Sequence, residues 1–382
     1  MKIKILLLFL LISIAGAIPC MAKKAKVKDV MDIIYQVNDY WQSAHPRHGR
    51  AFWDNAAYHT GNMEVYFLTQ KTEYMNYSLA WAEHNQWKGA KSNDKSKWSS
   101  SYGETDEYVL FGDWQICFQT YADLYSVQPE PERIARAREV MEYQMSTSRH
   151  NYWWWADGLY MVMPVMTKLY KITENPLYLE KLHEYLAYAD SLMYDEEAGL
   201  YYRDRKYVYP KHKSVNGKKD FWARGDGWVL AGLAKVLKDL PETDKYRNEY
   251  IERFRTLAKS VIACQQPEGY WTRSMLDPEH APGPETSGTA FFAYGLFWGI
   301  NNGFLDKKTY ELAAKKAWNY LANVALQPDG KVGYVQPIGE KAIPGQIVDA
   351  NSTAISVSVL FYWLLVSMCV FYRESKFRNI VK

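Results

Sequence analysis

Two kinds of helical segment alternate along this chain, and the alternation constrains the fold more than any other feature. Segments of the first kind combine an apolar stripe with a charged face, and they cover residues 27–43, 73–86, 132–145, 177–193, 244–264 and 307–325. Segments of the second kind continue from aromatic, polar or acidic residues into small and apolar ones, and they start at Phe52, Phe111, Trp155, Phe221, Glu285 and Asn351. Helices that are apolar on nearly all sides are buried, whereas amphipathic helices face solvent. The sequence therefore predicts an all-α (α/α)6 barrel, with six inner helices inside six outer ones.

The inner segments are unevenly spaced, which argues against an open solenoid of uniform repeats. The spacing favours a closed barrel with one core, formed as a single domain by residues 23–382. In such a barrel the N-terminal ends of the inner helices share one face and surround a pocket. The ionisable residues near those ends are the candidates for chemistry: Asp54, His59, Asp113, Asp157, Arg224, Asp226, Glu285 and Asp349.

The composition narrows the class of partner. Aromatic residues make up 16% of the chain, with 15 Trp and 31 Tyr, a content that carbohydrate-handling clefts often require. The formal net charge is only +3 and the sequence contains no basic block, which argues against nucleic acid as a partner. No protein partner is inferred from these features.

The first 22 residues are typical of an export signal, because Lys2 and Lys4 precede an apolar run that ends in small residues. The sequence thus predicts a periplasmic or secreted protein. A lipoprotein anchored through Cys20 is the alternative, although Pro19 stands where a small residue is needed. The other three cysteines lie in apolar helical patterns and are expected to be buried free thiols.

The stretch from Asp220 to Trp228 brings Trp222, Arg224 and Trp228 to the start of an inner helix. Free backbone N–H groups and the helix dipole favour an anion at that end. An arginine binds a carboxylate through two parallel hydrogen bonds. The stretch is therefore predicted to form a carboxylate or sugar site, and the alternative is a set of core aromatics with one solvated arginine.

Two aspartates open neighbouring inner helices. Asp157 follows three consecutive tryptophans, and Asp113 begins the preceding inner segment. Burial among aromatic rings would raise the pKa of Asp157 and allow it to act as a general acid, and two carboxylates across a pocket are the usual apparatus of glycosidic-bond chemistry. Each aspartate could instead only cap its helix, since Asp is favoured at that position.

Other catalytic signatures are missing from the sequence. It contains no His-Glu-x-x-His, no zinc-spaced Cys/His set, no Gly-rich phosphate loop and no Gly-x-Ser-x-Gly nucleophile elbow. We therefore expect neither a metal nor a cofactor.

The candidate residues belong to motifs at positions 58–62, 112–121, 153–157, 221–228 and 285–290. With these motifs the chain resembles glycoside hydrolase family 105, the unsaturated rhamnogalacturonyl hydrolases, and the related family 88 of unsaturated glucuronyl hydrolases. The resemblance runs from about residue 30 to residue 354 and implies an (α/α)6 barrel. It also implies an enzyme that removes a 4,5-unsaturated uronic acid from the non-reducing end of lyase-made oligosaccharides. The reaction implied is hydration, with a proton delivered to C4 and water to C5, instead of the usual glycosyl–enzyme route.

The resemblance assigns roles by position. It implies that Asp157 is the general acid and base, and that Asp113 is a second carboxylate which orients the sugar and holds up the pKa of Asp157. It further implies a set of substrate-binding residues: Tyr58, His59, Trp222, Arg224, Trp228, Thr286 and Ser287.

Two departures from the family pattern bear on substrate choice. Asp226 stands where the family often has Asn, which would add a negative charge near an anionic sugar. Arg203 and Asp204 replace a His-Gly pair of some members, at the rim that reaches the next sugar. The source polysaccharide, whether pectin, ulvan or a glycosaminoglycan, therefore stays open.

Residues 355–382 differ from the family's usual last inner helix. Ile355 to Tyr372 is a run of 18 residues without a charge, which is at the threshold length for a membrane span. Deleting one base from codons for the family's usual continuation reproduces this sequence through Trp363. Our hypothesis is a one-base frameshift just after Ala354, with a C-terminal membrane anchor as the alternative.

Two other functions are compatible with the same barrel. The first is an exported protein that binds acidic oligosaccharides without cleaving them, although an acid at position 157 argues against it. The second is a sugar epimerase, which would need a pair of pocket histidines as proton shuttles, and only His59 is well placed for that role.

Overall fold

The computed structural model describes residues 27–45 and 48–353. Its helices are α1 (Val27–Ala44), α2 (Trp53–Thr69), α3 (Thr72–His84), α4 (Gly112–Gln115), α5 (Cys117–Val127), α6 (Glu132–Ser146), α7 (Ala156–Thr173), α8 (Leu177–Met193), α9 (Ala223–Asp239), α10 (Arg247–Ala263), α11 (Thr286–Asn301) and α12 (Lys307–Tyr320). A 3-10 turn at Lys95–Lys97 and a π-helical turn at Leu321–Ala325 supplement them. Strand β1 (Tyr194–Asp195) pairs antiparallel with β2 (Leu200–Tyr201) in a short hairpin after α8. None of the helices in this part of the chain has the length and apolar character needed to cross a membrane.

Burial separates the helices into the two predicted sets. Every residue of α9 from Ala223 to Leu237 is buried, and so is every residue of α11 from Thr286 to Gly299. In α10, by contrast, the buried residues form a single stripe: Tyr250, Phe254, Leu257, Ala258 and Val261. The first two helices therefore belong to an inner layer and the third to an outer layer.

The inner helices pack side by side around the barrel. Helix α2 contacts α5, α5 contacts α7, α7 contacts α9, and α9 contacts α11. Helices α1, α3, α6, α8, α10 and α12 each follow or precede an inner helix in the chain, which confirms the predicted alternation. The sixth inner helix was predicted to start at Asn351, but residues 351–353 form a turn and irregular structure. The remainder of that helix, and the frameshift or anchor proposed for residues 355–382, lie outside the described residues.

Small residues let the inner helices approach one another closely. A Cβ added at Gly232 of α9 would lie 3.2 Å from the Tyr160 Cα of α7. A Cβ added at Gly288 of α11 would lie 2.9 Å from the Ala223 carbonyl carbon at the start of α9. Real Cβ contacts are rarely so short. Gly288 therefore lets the starts of α11 and α9 approach closely, and Gly232 lets the middle of α9 pack against α7.

The inner segment predicted from Phe111 is divided into α4 and α5 at Ile116. The Gln119 N–H donates to the Ile116 carbonyl at 3.0 Å, three residues back, which is the tighter 3-10 pattern. Sequence periodicity did not predict this interruption. Its effect is local, because α4 carries Asp113 on its own short turn at the end of the barrel.

Candidate active site

A cleft opens at the N-terminal ends of the inner helices, and the space that it shares with open solvent is about 640 Å³. Four inner helices each bring an ionisable residue to its wall: Asp54 from α2, Asp113 from α4, Asp157 from α7 and Arg224 from α9. The pocket therefore forms where the shared face of helix starts was predicted. Because these four residues stand on packed helices, their positions depend on the barrel core.

Neither catalytic candidate caps its helix. The N-cap of α4 is Phe111 and the N-cap of α7 is Trp155, so Asp113 and Asp157 both lie in the first helical turn. The capping interpretation of these two aspartates is thus wrong. Both carboxylates are directed into the cleft instead, among the residues that line it.

The two aspartates influence each other electrostatically. Burial raises the pKa of the Asp113 carboxyl well above its usual range, and the negative charge of Asp157 raises it further. Burial also raises the pKa of Asp157, while the positive charges of Arg203 and Arg224 oppose that shift. Two like charges in a buried site cannot both ionise easily, so the pair retains a proton above the usual aspartate range.

Arg203 is the principal positive contact of Asp157. Its Nε lies 3.3 Å from Asp157 Oδ2, and its Nη1 donates to Asp204 at 2.7 Å and to Glu340 at 3.1 Å. The Ala156 N–H donates to the Arg203 carbonyl at 2.8 Å, which fixes this loop residue against the start of α7. Arg203, which belongs to the pair that replaces His-Gly in some family members, therefore contacts the candidate general acid directly.

Arg224 lies in the cleft wall with its guanidinium held by protein groups. Nε donates to Ser287 Oγ at 2.8 Å, Nη1 donates to the Pro337 carbonyl at 3.2 Å, and Nη2 donates to the Gln336 carbonyl. Glu285 Oε1 lies 3.6 Å from Nη2. The side chain is buried, so the alternative of a solvated arginine is wrong.

Tryptophan faces make up much of the remaining wall. Trp155, Trp222 and Trp228 line the cleft and are nearly inaccessible to solvent. The Trp222 Nε1–H donates to Gln336 Oε1 at 2.8 Å, which fixes the plane of its ring. Trp228 packs on Phe291 with ring centroids 4.3 Å apart. The site thus presents rigid aromatic surfaces beside two carboxylates.

Four residues predicted to bind substrate lie outside the cleft wall. The Tyr58 hydroxyl donates to Asn38 Oδ1 at 2.6 Å, and His59 stacks on Trp81 with centroids 4.0 Å apart. Burial lowers the pKa of His59 well below its usual range, so its ring is neutral.

The other two of these residues support neighbouring groups. Ser287 accepts from Arg224, and the Thr286 hydroxyl contacts the Tyr320 hydroxyl at 2.8 Å. Both stand at the start of α11, below the residues that line the cleft.

Asp226 does not add charge to the cleft. The residue is fully buried, and its Oδ1 accepts from the Tyr201 N–H at 2.7 Å. Burial raises the pKa of Asp226 well above its usual range. This shift favours the neutral form of the carboxyl, and the residue does not line the cleft, so the expected repulsion of an anionic sugar is not found.

Several cleft residues were not identified from the sequence. They come from loops, namely Arg50, Tyr102, Glu104, Arg203, Ile338 and Gly339. Among them, only Arg203 was noted from the sequence, because it differs from the family's usual residue at the rim of the pocket. Across residues 27–45 and 48–353, no three His, Cys, Asp or Glu side chains are grouped so that they could hold a metal ion.

Comparisons with known proteins agree with this geometry. The family model described as Glycosyl Hydrolase Family 88 matches residues 25–372. A solved structure of a family 88 glycosyl hydrolase from Bacteroides vulgatus is 64% identical, with a TM-score of 0.88, and the match covers 91% of this chain and 99% of that one. The solved structure of a protein described as a polysaccharide lyase is 76% identical, with a TM-score of 0.89, covering 91% and 98%.

A curated relative supports the same assignment. The unsaturated 3S-rhamnoglycuronyl hydrolase of Formosa agariphila is 34% identical over 317 residues, which are 80% of this chain and 82% of that protein. The fold and the paired carboxylates define an (α/α)6-barrel glycosidase. This chain belongs to glycosyl hydrolase family 88, which confirms the resemblance found in its motifs.

Proposed function

We propose that this protein removes a 4,5-unsaturated uronic acid from the non-reducing end of lyase-made oligosaccharides. The observation that carries the proposal is the pair Asp113 and Asp157, which lie in one tryptophan-lined cleft where burial raises the pKa of both carboxyls. The Formosa agariphila relative, named as an unsaturated rhamnoglycuronyl hydrolase, supports the same substrate class.

The proposed reaction adds water across the C4–C5 double bond. Asp157 delivers its proton to C4 and then, as a carboxylate, takes a proton from the water that attacks C5. The product at C5 is a hemiketal, which opens and releases the attached sugar. Asp113 keeps the proton available to Asp157, because two adjacent carboxylates resist full ionisation.

Arg203 couples substrate binding to the protonation of Asp157. In the free protein its guanidinium contacts Asp157, Asp204 and Glu340. A uronate carboxylate entering the cleft offers Arg203 a further anionic partner and weakens its contact with Asp157. The pKa of Asp157 then rises and the residue is ready to donate.

A second candidate reaction is a β-elimination, which creates the C4–C5 double bond instead of consuming it. It is favoured by the 76% identical relative that is described as a polysaccharide lyase. In that reaction ionised Asp157 would take the C5 proton of a saturated uronic acid, the electron pair would form the C4–C5 double bond, and the sugar at O4 would leave with a proton donated by Asp113. Arg203 or Arg224 would neutralise the uronate carboxylate.

One optical measurement separates the two candidates, since the unsaturated uronate absorbs in the ultraviolet and the saturated one does not. The hydrolase consumes the band when it is given lyase products of pectin, ulvan or glycosaminoglycan. A lyase generates the band when it is given intact oligosaccharides of the same polymers. Binding without any change of absorbance would instead support a non-catalytic protein. The Asp157→Asn variant is the control in every arm.

We also propose that the protein works outside the cytoplasm. The support is the export-type pattern of residues 1–22, which lie outside the described part of the chain. Fractionation of cells that express the full chain tests this proposal, and recovery of the whole protein in the cytosol would contradict it.

A further inference from the structure

The two edges of the Arg203 guanidinium have different surroundings. On one edge, Nη1 donates to Asp204 Oδ2 at 2.7 Å and to Glu340 Oε2 at 3.1 Å. On the other edge, Nε lies 3.3 Å from Asp157 Oδ2, and Nη2 makes no hydrogen bond or ion pair within the described part of the chain. Because Arg203 lines the cleft, the edge formed by Nε and Nη2 is the one that can receive a carboxylate there.

Glu340, which holds the first edge, is itself fixed by two residues from the loop of Arg203. Its Oε1 accepts from the Tyr207 hydroxyl at 2.5 Å, and its Oε2 accepts from Lys206 Nζ at 3.1 Å. Tyr207 is buried, whereas the Lys206 side chain is 58% exposed, so water screens the lysine contact. The buried tyrosine therefore supplies the firmer support for the Glu340 carboxylate.

Three carboxylates share the single positive charge of Arg203. They belong to Asp157, Asp204 and Glu340. The Arg203 side chain is only 14% exposed, so its interactions with charged groups are weakly screened. Each partner that neutralises the guanidinium reduces the attraction left for the other two. The charge of Glu340 consequently opposes the effect of Arg203 on Asp157.

Of the two other partners, Glu340 is the one that can be changed with little effect on its own loop. Asp204 is buried and also accepts from the Lys206 N–H at 2.7 Å, so it helps to fold the segment that carries Arg203. Glu340 is 44% exposed and is 137 residues away in the chain. A substitution at Glu340 therefore removes a charge beside Arg203 without removing a backbone contact.

We propose that Glu340 is a positioning residue for the reaction. It holds the Nη1 edge of Arg203, so that the opposite edge faces Asp157 and an entering uronate, and its charge limits how tightly Arg203 pairs with Asp157. The inference rests on the proposed function, in which Asp157 must carry a proton when substrate binds. Glu340 does not line the cleft, so it acts through Arg203 and not on the substrate.

The test is the pH dependence of kcat/KM in Glu340→Gln. The other charged groups that act on Asp157 are Asp113 and Arg224, and they stay unchanged in this variant. With one anion removed, Arg203 acts more strongly on Asp157 and lowers its pKa, so the proton is lost at lower pH. We expect the alkaline limb to move down by about half a pH unit. This direction is opposite to the one expected for Arg203→Gln.

Glu142→Gln is the matched control for the loss of a glutamate. Glu142 is 43% exposed, pairs with Arg138 at 3.0 Å and contacts the Tyr178 hydroxyl at 3.4 Å, and it does not line the cleft. Its substitution should leave the limb in place. Glu340→Asp keeps the charge and should give a limb nearer to that of the native protein than Glu340→Gln does. Melting temperatures of all variants separate these effects from a loss of folding.

A double variant tests whether Glu340 acts through Arg203. In the Arg203→Gln protein, the additional change Glu340→Gln should not shift the limb further, because the group that transmits its effect is gone. An equal downward shift with and without Arg203 would overturn the inference. A limb that stays in place or moves to higher pH in the single Glu340→Gln variant would also overturn it.

A measurement without substrate separates this inference from the proposed function. Carbon-13 labelling of the aspartate carboxyls gives a resonance for Asp157, which is assigned by its loss in Asp157→Asn. Its titration midpoint should be lower in Glu340→Gln than in the native protein. If the native protein consumes no unsaturated uronide, the proposed function fails, and this titration still decides the role of Glu340. An unchanged midpoint would reject that role.

Discussion

The guanidinium of Arg203 lies 3.3 Å from the carboxylate of Asp157, so the candidate general acid is ion-paired in the free protein. Burial raises the pKa of Asp157 and this contact opposes the rise. Burial and the Arg203 contact therefore act on this pKa in opposite directions, and any anion that draws Arg203 away favours the protonated form of Asp157. The following predictions separate the contributions of these groups.

Asp157→Asn should abolish turnover and leave the fold intact, because Asn fills the same space but cannot donate or accept the reacting proton. General acid and base steps contribute about 10²–10⁴ in rate. Steady-state kinetics on an unsaturated uronide, with circular dichroism as a control for folding, measure the effect. A variant that keeps more than about a tenth of the native turnover would show that Asp157 is not the proton donor.

Arg203→Gln should move the alkaline limb of the kcat/KM profile to higher pH. The reason is the sign of the contact: the Arg203 charge lowers the pKa of Asp157, so its removal raises that pKa and keeps the proton at higher pH. KM should rise about tenfold or more if Arg203 also receives the uronate. Lys206→Gln is the control, since Lys206 contacts Glu340 at 3.1 Å from outside the cleft. An unchanged pH profile in Arg203→Gln would contradict the coupling.

Arg224→Lys should weaken both the structure and substrate binding. Three directed hydrogen bonds, to Ser287 and to the Gln336 and Pro337 carbonyls, require the guanidinium fork, which lysine lacks. Hydrogen bonds that involve a charged group contribute about 1.5–3 kcal/mol each, so we expect a lower melting temperature together with a higher KM. A variant with native stability and a raised KM would show that Arg224 serves the substrate alone.

Asp226→Asn should stabilise the protein increasingly as the pH rises. The folded Asp226 has a raised pKa, so between the ordinary aspartate pKa and this higher value only the unfolded chain ionises. The native protein therefore has this contribution in full at low pH and loses up to about 1.4 kcal/mol for each pH unit through that window. Asn retains the acceptor for the Tyr201 N–H and does not titrate.

The measurement for Asp226→Asn is the free energy of unfolding of both proteins at pH 4, 6 and 8. Their difference should grow in that order. A constant difference across the series would mean that Asp226 is ionised in the folded protein over this whole range. Activity serves as the control, because Asp226 does not line the cleft.

The sequence was sufficient to predict the barrel and part of its site. Helical periodicity distinguishes buried from amphipathic helices, so the two rings follow directly from it. Asp113, Asp157 and Arg224 were located because each lies in the first turn of an inner helix, and all first turns meet at one end. A place in the first turn does not suffice, because Thr286 and Ser287 also begin an inner helix and do not line the cleft.

Position along the helix explains why His59 was misplaced. His59 lies more than a turn further along α2, where the side chain packs against α3 and stacks on Trp81. Tyr102 and Ile338 belong to loops, which have no periodic pattern from which a direction could be predicted. The partners of Arg203 were equally inaccessible, because Glu340 is 137 residues away in the chain.

The hydrogen bonds between Arg224, Trp222 and the Gln336–Pro337 segment join positions separated by 112 to 114 residues. When α9 emerges from the ribosome, Asp113, Asp157 and Arg224 have already been synthesised. The Gln336–Pro337 segment that binds Arg224 has not yet been translated. Since chains emerge N-terminal end first, this buried arginine must wait for α11 and the loop that follows. The nascent chain therefore contains Asp113 and Asp157 well before the cleft wall around Arg224 can form. The active site is thus completed only late in synthesis.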